Sequence, residues 1–265
     1  MRFGAALFSI LLLAAGPVTA QSGFPSASGS DRDEELIRQD LALSPLLNGP
    51  RMSSELALAT YEKRYSRQVG TLLAYTASMV IQAELPATGQ EAQFEVRRQY
   101  IAPRTLRFTP IRFSGDRWVK SQVIARVLQS EVEHVERQDG WQTAITPGNY
   151  KFRYKGLEYL DGEPVHAYSV KPRRKRPGLF KGDIYLDVAT GSLCRAKGSV
   201  VKSPSFFVRK IEFVQDYADL DGFTFPVHMR FQISARIVGK VVVDVSTHHY
   251  APTATEQAAL ISDGK

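Results

Sequence analysis

The sequence predicts an α+β fold in which one large, curved antiparallel β-sheet has its concave face covered by helices. Three observations lead there. Beyond residue 71 the chain is a succession of apolar and polar runs that alternate with period two, about ten in all, as strands with one buried face require. The runs are joined by short connections rich in Gly, Pro and Asp-Gly, which link antiparallel neighbours. Between the third run and the fourth lies the most amphipathic helical stretch of the chain. An open twisted sheet rarely carries about ten strands without curling, so this one should curve around its apolar face.

The N-terminus reads as a targeting segment. Arg2, the apolar run Phe3–Ala15, Gly16-Pro17 and Val18-Thr19-Ala20 have the three parts of a secretory signal, with cleavage expected near Ala20. The apolar run is shorter than the roughly 18 to 20 residues that a membrane-spanning helix needs. Gln21 follows where a lipidated cysteine would stand, so the exported protein is expected to carry no acyl anchor. Residues 21–52 are expected to form a flexible Ser/Gly-rich leader with one short helix at 31–43. The folded domain is placed at 53–250 and a C-terminal tail at 251–265.

Within the domain, Ser53-Ser54 caps a helix running to about Gln68, with Leu58, Tyr61 and Tyr65 on one face. Strands follow at Leu72–Leu85, Gln93–Ile101 and Thr105–Phe113. The amphipathic helix, Arg117–Arg137, places Val123, Ile124, Val127, Leu128, Val132 and Val135 on one side. Lys120, Arg126, Glu131, Glu133 and Glu136 are assigned to the other. From Asn149 to His249 the strands recur at intervals of roughly 10 to 14 residues. Asp161-Gly162, Thr190-Gly191, Asp221-Gly222 and Gly239 mark the turns. Tyr150, Phe152, Tyr154, Phe213, Phe225 and Phe231 fall on the apolar side of these strands and are the candidate wall of an apolar cavity. A filled core would show the same pattern.

No catalytic signature emerges. The chain has no nucleophile elbow, phosphate loop, dinucleotide fingerprint, HExxH or paired Cys/His spacing. His248 and His249 are adjacent and would point to opposite faces of a strand, which does not make a metal clip. Cys194 is the sole cysteine, so no internal disulfide forms, and a buried or half-buried strand thiol is expected. Asp183 and Asp187 are read as turn and strand-end hydrogen-bonding residues. No cofactor and no metal are implied.

The formal net charge is +7, and the most conspicuous charge cluster is Lys171-Pro-Arg-Arg-Lys-Arg-Pro177, a proline-bracketed loop leading to Phe180. Arg173, Arg174, Lys175, Arg176 and Phe180 are either a solvated hairpin connection or a basic tip beside exposed apolar residues. Such a tip suits transient contact with a membrane surface or an envelope protein partner. A nucleic-acid role would need a recognition helix or aromatic stacking motif that the chain lacks. A second candidate contact is Lys202–Lys210, where consecutive Phe206 and Phe207 put one ring on the outer side of a strand.

The order Tyr154-Lys-Gly156, Asp161–Val170, Lys181-Gly-Asp-Ile-Tyr-Leu-Asp187, Arg195-Ala-Lys-Gly198, Ile211–Tyr217 and Asp221-Gly-Phe-Thr-Phe-Pro226 resembles the outer-membrane lipoprotein-sorting proteins, the LolA-like superfamily. The resemblance spans roughly Ser53 to His249 and rests on sheet and turn patterns. It implies an incomplete antiparallel β-barrel closed by helices around a cavity for acyl chains, and a periplasmic location. The leading expectation is therefore non-enzymatic binding of a lipid or lipoprotein acyl chain, for transport or sorting across the envelope. The alternative is a protein-interaction or sensor module on the same scaffold.

Overall fold

The computed structural model describes residues 51–137, 140–203, 206, 208–220 and 222–254. The signal segment, the leader up to residue 50 with its helix at 31–43, Asp221, and residues 255–265 of the expected tail lie outside the described residues.

Helix α1 spans Ser54–Thr71, and the Ser53 side chain caps it by accepting the Leu56 N–H at 3.2 Å. It buries Ala57, Tyr61 and Gln68 against the sheet. The buried Gln68 amide donates to the Thr224 carbonyl at 3.2 Å and accepts the Thr224 N–H at 2.9 Å, which pins the far end of the helix to a strand. At the near end, His166 Nε2 lies 3.0 Å from the Met52 carbonyl.

Ten strands follow: β1 Leu72–Leu85, β2 Gln90–Ile101, β3 Thr105–Gly115, β4 Tyr150–Leu160, β5 Glu163–Pro172, β6 Phe180–Asp187, β7 Leu193–Val200, β8 Val208–Leu220, β9 Phe223–Ala235 and β10 Gly239–Ala254. They form one antiparallel sheet in the order β3-β2-β1-β10-β9-β8-β7-β6-β5-β4. The expected curved sheet is present and open, with β3 and β4 as its two edges. Those edges are consecutive in the chain, so the segment joining them has to cross from one side of the sheet to the other. It does so as a helical run: one turn at Arg117–Val119, a π-helical segment at Lys120–Ile124, and helix α2 at Ala125–Arg137. Asp116 caps the run by accepting the Val119 N–H at 2.8 Å. Val119, Ile124, Val127 and Leu128 sit in one apolar cluster with inner residues of the strands, which is how the run covers the concavity.

The register carries complete rows of inward residues across the sheet. One runs Tyr154, Tyr168, Ile184, Ala196, Gln215, Met229, Val245, Ile81, Phe94, Phe113 from β4 to β3. In the adjacent row Gly182 of β6 faces Gly198 of β7. A Cβ on Gly182 would fall 1.9 Å from the Lys197 carbonyl oxygen, and one on Gly198 would fall 2.9 Å from the Phe180 ring. The strands can approach this closely only without side chains, and the space goes to Phe180.

Gly182→Ala is expected to lower stability by about 2 kcal/mol or more, because the added methyl meets backbone that cannot rotate away. Gly70→Ala, at an open helical position, should leave stability unchanged or raise it by up to about 1 kcal/mol. Urea unfolding of the two variants checks both.

Candidate functional site

The candidate wall residues occupy three places. Tyr150, Phe213 and Phe231 are buried in the main interior, where Phe152 packs half-buried beside them. A train of rings links them: Tyr150 to Phe180 at 5.4 Å, Phe180 to Phe213 at 5.0 Å, Phe213 to Phe231 at 6.4 Å. Phe225 belongs to a separate cluster with Tyr75 and Tyr250 and stacks on Tyr250 at 4.0 Å. Tyr154 stands at the edge strand, 44% exposed, with its hydroxyl 3.1 Å from His166 Nδ1.

Phe180 requires a correction. It is 0% exposed, fills the room above the glycine pair, and gives its N–H to the Tyr150 hydroxyl at 3.2 Å. It completes the interior aromatic train and offers nothing to a surface. β6 begins at Phe180 after a turn at Pro177-Gly178, and both apolar residues behind the basic run, Leu179 and Phe180, are fully buried.

The interior is not uniformly apolar. Glu131, assigned to the polar side of the amphipathic helix, is 0% exposed and ion-paired with the buried Arg98 of β2. It lies four residues from both Val127 and Val135 and so shares their stripe. Arg98 follows Ala92, Phe94 and Val96 in the inward alternation. Its Nε donates to the Tyr75 hydroxyl at 2.8 Å, and its guanidinium lies 5.6 Å from the Tyr75 and Phe108 ring centres. Burial alone would lower the Arg98 pKa, but Glu131 and Tyr75 beside it hold it above the ordinary value. Burial raises the Glu131 carboxyl, with Arg98 offsetting part of the rise.

Gln215 of β8 is 0% exposed and points inward between Phe213 and Tyr217. Neither atom of its amide has a hydrogen-bond partner among the described residues, and the buried Tyr61 hydroxyl and Ser130 Oγ are in the same condition. Burial pushes the Tyr61 hydroxyl well up, with the Tyr217, Tyr65 and Tyr150 hydroxyls close enough to add to the effect. Reading the period-two pattern for polar exceptions on the apolar face would have found both Arg98 and Gln215.

On the surface, the basic loop is braced at its base. The Arg173 N–H donates to the Asn149 carbonyl at 2.8 Å and its Nε to the Pro147 carbonyl at 2.6 Å. Arg174 and Lys175 are exposed, whereas Arg176 is half-buried. Beside the loop a groove of about 510 Å³ is lined by Lys151, Phe152, Arg153, Tyr154, Lys155, Ser169, Lys171 and Asp183. A second groove of about 550 Å³, at the end of the fold, is lined by Leu85, Ala87, Thr88, Gln90, Trp118, Ile237, Val238 and Gly239. Phe206 is 76% exposed under the Arg236 guanidinium, and Phe207 lies outside the described residues.

The remaining candidates keep local duties. Asp187 Oδ1 accepts the N–H groups of Ala189 and Thr190 at 3.1 and 2.6 Å, a turn cap, and Asp183 pairs with Lys155 Nζ at 3.1 Å. Cys194 is half-buried on β7, and burial pushes its thiol up to about 12.

With this geometry in view, comparison with known proteins gives the following. A model described as a family of unknown function (DUF5686) matches residues 146–251, from just before β4 into β10. No curated protein was found to match the chain. Among solved structures the chain is similar to a domain assigned to outer membrane lipoprotein sorting from Vibrio parahaemolyticus, at 13% identity. That match covers 76% of this chain and 94% of that one, with a TM-score of 0.43. It is also similar to a LolA superfamily protein from Nitrosomonas europaea, at 12% identity, 78% and 96% coverage and a TM-score of 0.37. A DUF1329 family protein from Desulfovibrio piger follows at 12% identity, 73% and 92% coverage and a TM-score of 0.40.

Two expectations follow from the site. Arg98→Met or Glu131→Leu alone is expected to cost about 3 to 5 kcal/mol by stranding one buried charge, and the double variant to recover most of the loss. A urea-unfolding double-mutant cycle measures this. Native Cys194 should react with a thiol reagent at pH 8 on the order of a thousandfold more slowly than in the unfolded chain, since the thiolate reacts and burial suppresses it.

Proposed function

We propose that this chain is an exported, non-enzymatic protein that shelters an acyl chain of a lipid or lipoprotein between the curved sheet and the helical run that crosses it. The observation that carries the reading is Gln215. A row of inward residues crosses all ten strands, and in its buried middle one side chain is a fully buried amide without a hydrogen-bond partner among the described residues. A core built only for stability gains from an apolar residue there, because an unpaired buried amide costs about 1 to 3 kcal/mol. An interior that receives an amphiphile has use for such a group: it can bond an ester, amide or hydroxyl while the surrounding rings take the hydrocarbon. Each buried CH₂ is worth about 0.8 kcal/mol, so one long acyl chain supplies most of the affinity.

Admission of a chain requires the crossing run to lift from the sheet. Trp118 stands at the start of that run and lines the end groove with Leu85, Ile237 and Val238, which gives an acyl chain an apolar place of entry. No helix among the described residues is long and apolar enough to cross a membrane.

Native mass spectrometry of protein purified from cells, with lipid extraction of the same sample, is expected to show a bound amphiphile. Gln215→Leu should then retain about fivefold to tenfold less of it without losing thermal stability. Protein that is consistently empty overturns the carrier reading in favour of an interaction module. A stabilised Gln215→Leu protein with unchanged lipid content removes Gln215 from the site.

A further inference from the structure

We propose that the outer side of β4 and β5, with the adjoining loop, docks on an anionic lipid bilayer and that Trp141 sits at the rim of this contact. The inference stands on surface residues and does not depend on what the interior holds.

Lys151 of β4 and Lys171 of β5 are register partners, and Arg153 follows on the same side of β4 opposite Ser169. All three line the 510 Å³ groove. The loop then adds Arg173, Arg174 and Lys175, held beside the end of the groove by the two bonds from Arg173 to the segment that leads into β4. One carboxylate, Asp183, lies in the groove, and Lys155 occupies it at 3.1 Å. Six cations on one side of the molecule, without a free counter-charge in the groove, attract an extended anion.

Trp141 decides which anion. It is 68% exposed, and its carbonyl accepts a 2.7 Å hydrogen bond from Asn149 Nδ2, the same residue whose carbonyl holds Arg173. A large amphipathic ring is thus tied to the basic loop by one residue. Tryptophan prefers the headgroup level of a bilayer, where its ring meets acyl chains and its N–H meets water. Lys and Arg beside it draw anionic headgroups to the same plane. Readers of duplex DNA commonly set a helix in the major groove, and the cations here stand on two strands and a loop, with no helix of the described residues carrying them. The edge position of β4 fits as well, since its cations also keep the edge from pairing with another chain.

The protein contains two tryptophans, so a Trp118→Phe variant leaves Trp141 as the sole indole reporter. This variant is titrated with phosphatidylglycerol–phosphatidylcholine vesicles and with phosphatidylcholine vesicles, following co-sedimentation and emission wavelength. The expected result is binding to the anionic vesicles with a blue shift of Trp141, weakening as salt is raised. Adding Lys151→Gln, Arg174→Gln and Lys175→Gln should weaken partitioning on the order of 100-fold, from about fivefold per cation. Equal binding to neutral vesicles overturns the proposal, as does anionic binding that leaves the Trp141 emission unmoved. Failure to bind vesicles, or displacement from them by a short DNA duplex at equal charge concentration, also overturns it.

Discussion

The pairing of β10 with β1 governs the rest of the molecule. It runs from Leu72 opposite Ala254 to Glu84 opposite Val242, and it sets the last strand beside the first. Everything between is then a meander in two directions, which sends β3 and β4 to opposite edges although they follow one another in the chain. Ten strands at about 4.8 Å spacing would span about 43 Å if flat. The helical run of residues 117–137 is about 30 Å long. Curvature brings the edges within reach of this connection, and the connection in turn lies across the concave side. Sheet shape and helix position are therefore one constraint seen from two ends.

A helix laid over an apolar hollow by connectivity alone could rotate or slide, since apolar contact is non-directional. The ion pair of Glu131 with Arg98 gives it a direction. Such a pair is a poor source of net stability, because desolvation of both charges offsets much of their attraction. Its contribution here is registry: one rotation of α2 brings the carboxylate to the guanidinium, and the neighbouring rotations leave two charges buried apart. The π-helical segment just before α2 adjusts the phase of the run. It also lets Lys120 rest 4.6 and 4.2 Å from the Phe94 and Phe113 rings while Ile124 stays buried.

Much of this architecture is legible in the sequence because period two is a strong signal. β1 runs from Leu72 to Leu85 as the alternation has it, and Ser53 is the cap that its position implies. The connectivity that sets β10 against β1 is not written in any local pattern, because it depends on pairing across the whole chain. The site was harder to read for a different reason. Arg98, Glu131 and Gln215 are polar residues on apolar faces, and a reading that sorts residues by type assigns them to solvent. Phe180 follows a run of prolines and arginines, and that company hides in the sequence that it opens a strand. Trp141 belongs to a short turn with no periodicity, so nothing in its neighbours announces which way it points.

The closure of the sheet by its final strand has a consequence for how the molecule comes into being. Until β10 arrives, β1 has one free edge, and its inward Met79, Ile81 and Ala83 lack a neighbour on that side. The meander from β4 to β9 can form without β1, but the two parts share no sheet. Long loop closure precedes the contacts that reward it, so the joining of the two parts waits on β10. Loss of that stretch would not shorten a finished object by one strand. It would leave two open fragments, each with a sticky edge, and no hollow between them.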